Sequence, residues 1–519
     1  MPIQPRSGAQ LTQITLVTPA FGGLNKQQEA GIIGQAWATD ATNFVFDGGG
    51  RLASRSGWVN QTTTPITGSP TIKAIFEQRK LDGTTQIILS GSNNKLYLGT
   101  TSPTDITGTA TVSASEWQFV NFNGKVYGVQ QGSNPIVYDG TTSFANLTAA
   151  SGSLPTGNCA LAFSGRLWIS TSDRQAIKYS ALLDATKWAT ADGAGSFDFT
   201  SVWPNGSDEI VAITVFNNAL VVFGKNCVLL LSDGVGSAKG IDPANTKVYD
   251  MISSVGCIAR DTVKEVEGSD LLFLSKVGVQ SLQRLVVQKS NPIMNVSRNN
   301  RDFLIGYINL EPWARIKAEY SPANSFYVLS FPTSGIVFCL NTRKTLEDGT
   351  YPTTTWDTMC PYALCQTNLG DLYISLSGQL GVVGVYSGTS DNGVGINLSY
   401  ASGWMDLGED ISNYLKILKN ITIQCYTSAA IGVSVKWDKD FSGFYTSATT
   451  TTAASTQAEY GLSEYGLDEY SAGLAINTIG VSCTGSGQFI KIGVSAVTNT
   501  SSFTIQQMNI FTKIGRMAK

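Results

Sequence analysis

Histidine is absent from this 519-residue chain, and its absence removes several kinds of chemistry. Without imidazole there is no Ser-His-Asp or Cys-His catalytic arrangement, no histidine metal ligand and no imidazole acid–base catalysis. Glycoside cleavage needs only two carboxylates, about 5 to 10 Å apart, so the composition leaves that reaction open. The enzyme classes that depend on histidine are therefore excluded.

Charge is also scarce, since charged residues make up 14% of the chain against about 25% in average globular proteins. The net charge is −3 and the pI about 5.3, which predicts no basic surface of the kind that grips phosphates. A sequence-reading or tightly wrapping nucleic-acid protein is not expected. Passage of DNA along the protein remains compatible with these values, because weak phosphate attraction reduces friction.

Long apolar runs are missing as well. No run approaches the ~18 residues of a membrane-spanning helix, and the opening MPIQPRSGAQLTQ lacks the apolar core of a secretory signal. We therefore expect a chain that is made in the cytoplasm and has no membrane span.

Cysteine is present but scattered over the whole length. The eight positions are Cys159, Cys227, Cys257, Cys339, Cys360, Cys365, Cys425 and Cys483. Cys360 and Cys365 are near each other, but no second pair completes a zinc site. We expect reduced core thiols, no metal site and no cofactor.

Small polar residues and 53 glycines replace the missing charge, while hydrophobic residues reach 42%. This mixture suits many short strands joined by tight turns and predicts an all-β protein. Between about residues 70 and 390 one pattern recurs: a strand, a turn on Gly or Asn, a second strand and a third. The turn markers are Gly83, Gly124, Gly165, Asn218, Gly268, Asn324 and Gly370. Their spacing of about 41 to 56 residues is typical of four-stranded propeller blades and predicts six or seven of them. A stack of hairpins forming sandwiches is the alternative, and it would give less regular spacing.

The repeat suggests three regions. Residues 1–60 are predicted to be an N-terminal arm and hairpin packing with a platform, 61–394 the propeller, and 395–519 a β-sandwich or barrel platform. A short helix is expected to end near Asn43, and another in an insertion between Leu285 and Tyr307. An extended loop is predicted over 446–474, where a five-residue repeat presents Tyr460, Tyr465 and Tyr470. Exposed aromatic residues of this kind often contact a partner, although packing against their own domain explains them equally well.

The segment from Asn43 to Trp58, NFVFDGGGRLASRSGW, is predicted to be a hairpin whose glycines permit positive φ angles. Three glycines also occur in phosphate-binding loops, but the Gly-Lys-Ser/Thr of a P-loop is absent and no helix pattern follows. Its distinguishing residues are Asn43, Asp47, Gly48, Arg51, Arg55, Gly57 and Trp58.

This segment resembles an early element of the tail nozzle, or tail stabilisation, proteins of short-tailed bacteriophages. The resemblance extends to the preceding FGGLN and, in order, to segments at 207–234 and 254–282, including Gly256, Cys257 and Ala259. It implies a propeller with a strand-rich platform, assembled as a ring of six in the virion tail. Such a ring would contact the adaptor on the portal side and tail fibres or a needle. It would conduct double-stranded DNA during genome ejection without sequence-specific binding, as a structural protein rather than an enzyme.

Two alternatives remain open. A receptor-binding or polysaccharide-depolymerising tail protein would need a carboxylate pair, and the candidates are Asp406, Glu409 and Asp410, or Asp438 and Asp440. Asp438 and Asp440 form an Asp-x-Asp pair that could also bind calcium, but solvated loop carboxylates explain both groups. A cellular propeller scaffold is the second alternative.

Overall fold

The computed structural model describes residues 11–16, 21–113, 116–204, 206–233, 242–243, 245–268, 270–287, 295–406, 413–454 and 475–517. Six strands precede the first repeat unit. They are β1 (Leu11–Leu16), β2 (Gly23–Leu24), β3 (Trp37–Thr42), β4 (Phe44–Phe46), β5 (Leu52–Ser54) and β6 (Trp58–Asn60).

The predicted helix before Asn43 is wrong, because that stretch forms β3. Ala38 and Ala41 are buried in the sandwich core, and β3 pairs along its length with residues 399–402. Tertiary pairing therefore overrides the local sequence preference there.

Four antiparallel sheets of four strands follow one another in the first half of the chain. They are β7–β10 (Ile72–Arg79, Thr85–Gly91, Lys95–Leu98, Thr104–Asp105), β11–β14 (Gln118–Phe122, Lys125–Val129, Ile136–Tyr138, Ala145–Asn146), β15–β18 (Ala160–Phe163, Arg166–Ser170, Ala176–Tyr179, Gly195–Asp198) and β19–β22 (Ile210–Phe216, Ala219–Gly224, Cys227–Ser232, Lys247–Ser253).

Three further units complete the ring. They are the three-stranded β23–β25 (Lys264–Val266, Asp270–Ser275, Gly278–Ser281), then β26–β29 (Lys317–Ser321, Phe326–Phe331, Ile336–Asn341, Thr353–Trp356), and last β30–β32 (Pro361–Gln366, Leu372–Leu376, Gly384–Tyr386) together with β6. In the described part of the insertion expected between Leu285 and Tyr307, two helices follow β25: α1 (Leu282–Val287) and α2 (Arg301–Leu310).

The innermost strands contact one another in a closed circuit, from β7 through β11, β15 and β19 to β23, β26, β30 and back to β7, with a short helical turn bridging β19 to the β23 unit. Closure is made by β6, which pairs with β32 in the last sheet, so that a strand from before the first blade completes the last one. The described residues thus form a β-propeller of six four-stranded blades and one three-stranded sheet. The predicted all-β propeller fold is confirmed.

Turn chemistry explains why the repeat was visible in the sequence. Six of the seven marker residues adopt positive φ, from 61° at Asn218 to 99° at Gly370. In the turn after β26 the marker Asn324 does not, and Ser325 has φ 51° instead. Left-handed residues at both central positions, as at Asn123 and Gly124, are the hairpin turns whose twist matches that of the strands.

The platform is a β-sandwich built from both ends of the chain. Its later strands are β33 (Ile396–Ser402), β34 (Tyr414–Thr427), β35 (Gly432–Lys439), β36 (Thr446–Thr451), β37 (Ala475–Ser482), β38 (Ser486–Gly487), β39 (Ile490–Thr498) and β40 (Thr504–Met517). One sheet runs β37-β34-β40-β5-β4, with β1 also on β40 and β38 on β34. The core between the two sheets includes Phe44, Tyr400, Ile421, Ile492 and Ile505.

The second platform sheet is continuous with a propeller blade. Its order is β26-β27-β28-β29-β2-β3-β33-β39-β35-β36, so four blade strands and six platform strands share one hydrogen-bonded sheet. The two parts are linked by the parallel pairing of Gly23 with Thr353 and of Thr42 with Thr355. Gly23 has φ 92°, and a Cβ there would lie 2.7 Å from backbone atoms of Thr353, so only glycine fits. Within the described residues, no helix has the length and apolar character needed to cross a membrane.

Candidate functional site

Asn43 lies at the corner where β3 turns into β4, fully buried and with φ 61°. Its side-chain amide nitrogen donates to the Asp357 carboxylate at 2.6 Å and to the Asn397 carbonyl at 2.7 Å. Its side-chain oxygen accepts from the Arg55 Nε at 3.1 Å. Asparagine suits this position because it tolerates the left-handed region and can use both ends of its amide.

Arg55 is buried next to Asn43 and forms a bidentate ion pair with Asp391. The distances are 2.8 Å from Nη1 and 2.7 Å from Nη2, and the arginine side chain has 0% exposure. The guanidinium also donates to Thr358 at 2.6 Å and lies 5.9 Å from the Trp356 ring centre. Five residues form this junction cluster between platform and propeller: Asn43, Arg55, Asp357, Thr358 and Asp391.

Gly57 and Trp58 begin the strand that closes the ring. A Cβ on Gly57 would lie 1.8 Å from the Ser390 carbonyl oxygen, which excludes any larger residue without a backbone shift. Trp58 is buried opposite Tyr386, and its ring covers Gly384, where a Cβ would come within 2.5 Å. The two residues therefore fit the chain tightly into the last blade.

Asp47 and Arg51 organise the tip of the β4–β5 hairpin. The Asp47 carboxylate accepts from the Arg51 backbone N–H at 2.9 Å and from its Nε at 2.6 Å. Arg51 also lies over the Tyr426 ring at 4.5 Å. Of the glycines in this turn only Gly50 has positive φ, at 73°. Gly48 does not adopt the positive φ angle that the sequence led us to expect.

All seven residues of this segment thus lie in one hairpin and its continuation into the propeller. Sequence reasoning missed their partners Asp357, Thr358 and Asp391, which are more than 300 positions away along the chain. No local signal marks those partners, because only the closed ring brings them next to Asn43 and Arg55.

A second cluster of charged residues lies on the propeller axis. Lys73 contacts Glu116 at 3.4 Å, Glu116 contacts Lys317 at 3.0 Å, Lys317 contacts Asp261, and Arg260 contacts Asp261 at 2.7 Å. This axial charge chain alternates in sign, and its side chains are at most 25% exposed. No single stretch of sequence contains it, because its members come from four separate places in the chain.

Opposite charges favour the ionised forms of two buried groups here, Asp261 and Lys264. Burial alone would raise the pKa of Asp261, but the charges of Arg260 and Lys317 hold it well below its usual value. Burial opposes the charged form of Lys264 as well, yet its ion pair with Glu319 at 2.8 Å raises the pKa of the lysine.

Two cavities flank Arg260 and Asp261. One of about 220 Å³ is lined by Lys73, Lys264 and Lys317 together with those two residues. The other, of about 360 Å³, is lined by residues that include Glu116, Arg174, Lys225 and Trp313. Both are far too small for a nucleic-acid duplex, whose major groove alone is about 12 Å wide.

Two of the candidate carboxylates of the platform, Asp438 and Asp440, accept hydrogen bonds from backbone N–H groups. Asp438 is 1% exposed and accepts backbone N–H groups of Lys439 at 2.7 Å and Gly443 at 3.0 Å. Asp440 accepts the backbone N–H groups of Gln488 and Phe489 at 2.7 and 2.9 Å. Such contacts are those of turn-capping carboxylates.

Asp406 lies near the buried end of Lys416. Burial lowers the pKa of Lys416, and the charges of Asp406 and Asp440 oppose that effect. Glu409 and Asp410 lie outside the described residues.

The predicted partner-contact residues Tyr460, Tyr465 and Tyr470 also lie outside the described residues, so their role stays a prediction. All eight cysteines are buried and unpaired, as expected. In the described parts of the chain, no group of three or more Cys, Asp or Glu side chains is arranged to hold a metal ion.

No family model and no curated protein matches this chain. Solved structures similar to part of it include YCF48 bound to D1 peptide, with 11% identity, a TM-score of 0.38 and coverage of 64% of this chain and 99% of that one. Kuenenia stuttgartiensis hydrazine synthase has 11% identity, a TM-score of 0.37 and coverage of 64% and 99%. The WD40 domain of Toxoplasma gondii coronin has 10% identity, a TM-score of 0.35 and coverage of 73% and 86%.

Proposed function

We propose that this chain is a structural subunit of a hexameric tail nozzle in the virion of a short-tailed phage. In this role the ring extends the DNA channel below the adaptor, binds fibres or a needle, and conducts the genome at ejection. The proposal starts from the resemblance carried by the segment from Asn43 to Trp58. It does not require an active site in the subunit.

The main support for assembly into a ring is that two opposite edges of the platform are formed by strands without charged residues. On one side β36 and β37 end the two sheets, and on the opposite side β1 lies at the outer edge of β40. None of these three strands contains a charged residue. Soluble proteins usually protect edge strands with charge, proline or a bulge, so edge strands that carry no charge, as these do over their described residues, favour pairing with another chain.

Edges on opposite sides of one sandwich suit a head-to-tail ring. If the β1 edge of one copy meets the β37 edge of the next, the contact is heterologous and repeats until the ring closes. The conduit then lies between subunits, which agrees with cavities on the propeller axis that are too small for a duplex. With a net charge of −3 per chain, a ring of six would not attract the sliding phosphates, which keeps friction low.

The test uses full-length protein and phage particles that lack this subunit. We expect a six-copy ring by native mass spectrometry, alone or after addition to the particles, and retention of DNA in particles that otherwise leak. A monomer or trimer that ignores the particles and binds or degrades host polysaccharide would replace this proposal with the depolymerase alternative. Absence of the chain from purified virions would favour a cellular scaffold.

A matched pair of variants examines the edge itself. Ile476 on β37 is 66% exposed, and Ile476→Lys places a charge on the edge. Leu81 in a propeller turn is 84% exposed, and Leu81→Lys is the control. We expect only the first to abolish the ring while both remain folded; a ring that survives Ile476→Lys would refute edge pairing.

A further inference from the structure

The axial charge chain contains one more cation than it has anions. Lys73, Lys317 and Arg260 alternate with Glu116 and Asp261, and each carboxylate bridges two cations. The five side chains are between 8% and 25% exposed, so water screens them poorly. An uncompensated charge in such a place is costly.

Neighbouring charges do not compensate the excess. Lys264 and Glu319 pair with each other at 2.8 Å and contribute no net charge. Arg174 and Lys225 share Glu209 at 3.1 and 2.8 Å, and the buried Asp208 lies beside them, so this group adds no net charge to the excess. The axis is therefore positive in a chain whose total charge is −3.

The excess charge faces a cavity of suitable size. The space of about 220 Å³ is lined by four cationic side chains, Lys73, Arg260, Lys264 and Lys317, against one acid, Asp261. Since a water molecule occupies about 30 Å³, the cavity has room for a small anion with a few waters.

We propose that this cavity binds one small, singly charged anion of the size of chloride or acetate. The anion completes the alternating series and neutralises the axis, so it stabilises the inner strands β7, β23 and β26 against one another. Binding is independent of the proposed role in a phage tail, because every group involved belongs to one chain.

The experiment measures thermal unfolding of the full-length protein at constant ionic strength. Chloride, acetate or inorganic phosphate replaces the bulky HEPES anion, which does not fit the cavity. We expect the melting temperature to rise by several degrees at concentrations well above Kd for chloride and acetate. A larger effect of chloride than of acetate identifies a halide site, and the reverse identifies a carboxylate site.

Two variants separate the axis from the surface. Lys73→Met leaves two cations and two anions in the chain, so the dependence on the anion should disappear. Lys95→Met is the control, since it breaks one exposed ion pair with Asp105 and should keep the full shift. The same shift in Lys73→Met, or none in the native protein, would overturn the proposal.

Crystals soaked in bromide give a second measurement that does not depend on the folding of a variant. We expect an anomalous peak in the cavity between Lys73 and Arg260. If chloride stabilises the protein more than acetate does, absence of that peak would refute the site. A peak seen only in molar bromide, without a shift at lower concentration, would mean an adventitious ion only and would equally refute it.

Discussion

Replacing Arg55 with methionine removes the cation that holds the platform to the propeller. The native side chain has 0% exposure and its partner Asp391 10%, so the variant leaves a carboxylate that is nearly buried and without its counter-ion. The Thr358 hydroxyl, 3.0 Å from that carboxylate, compensates only part of the loss. Breaking a buried pair on one side costs about 3–5 kcal/mol.

The assay combines urea unfolding with amide hydrogen exchange. Arg55 lies three residues before the strand that closes the ring, so exchange should accelerate most at residues 58–60 and 384–386. A loss of this size corresponds to a local acceleration between roughly 100-fold and several thousand-fold.

Two further variants test whether the loss of stability comes from the buried pair between Arg55 and Asp391. Adding Asp391→Asn to Arg55→Met should recover about 1 kcal/mol or more, because it removes the orphaned charge. Arg51→Met breaks the less buried pair with Asp47 and should cost about 1 kcal/mol or less. If Arg55→Met costs no more than Arg51→Met, or if Asp391→Asn gives no recovery, the junction cluster does not act as described.

Three other outcomes follow from individual side chains. Gly57→Ala should lower the free energy of unfolding by about 2 kcal/mol or more, since the new Cβ would lie 1.8 Å from the Ser390 carbonyl oxygen. Gly432→Ala is the control, because the space around Gly432 is open, and it should change the free energy of unfolding by no more than about 0.5 kcal/mol. Urea titrations measure both. Burial raises the pKa of Cys159 to about 12, so its thiol, which is 0% exposed, should not react with a thiol reagent at pH 8 until the protein unfolds. Backbone N–H donors of its turn lower the pKa of Asp139 to about 2. Since a depressed pKa stabilises the fold above the unfolded value of about 3.9, Asp139→Asn should lower the urea midpoint at pH 7, and the difference should shrink as the pH falls from about 4 to 2.

The repeat and the fold class can be predicted from the sequence alone. Turn markers such as Gly124 and Gly165 can be recognised in the sequence because a left-handed backbone angle is a local requirement that few residue types satisfy. The hairpin around Asp47 could be predicted for the same reason, since its turn contains Gly50 with a positive φ angle. Where a turn uses the next residue instead, as at Ser325, the pattern gives the right element and the wrong position.

The features that depend on closing the ring cannot be predicted from local sequence, because they arise from contacts between distant segments. The strand at Trp37–Thr42 forms because β33 and β29 are beside it, although its own sequence suggested a helix. Strand β6 lies in the segment taken as an N-terminal arm, yet it completes the last blade. The junction cluster and the axial charge chain each join residues hundreds of positions apart, because pairing and burial act through space, whereas sequence patterns record only what each residue requires of its immediate neighbours.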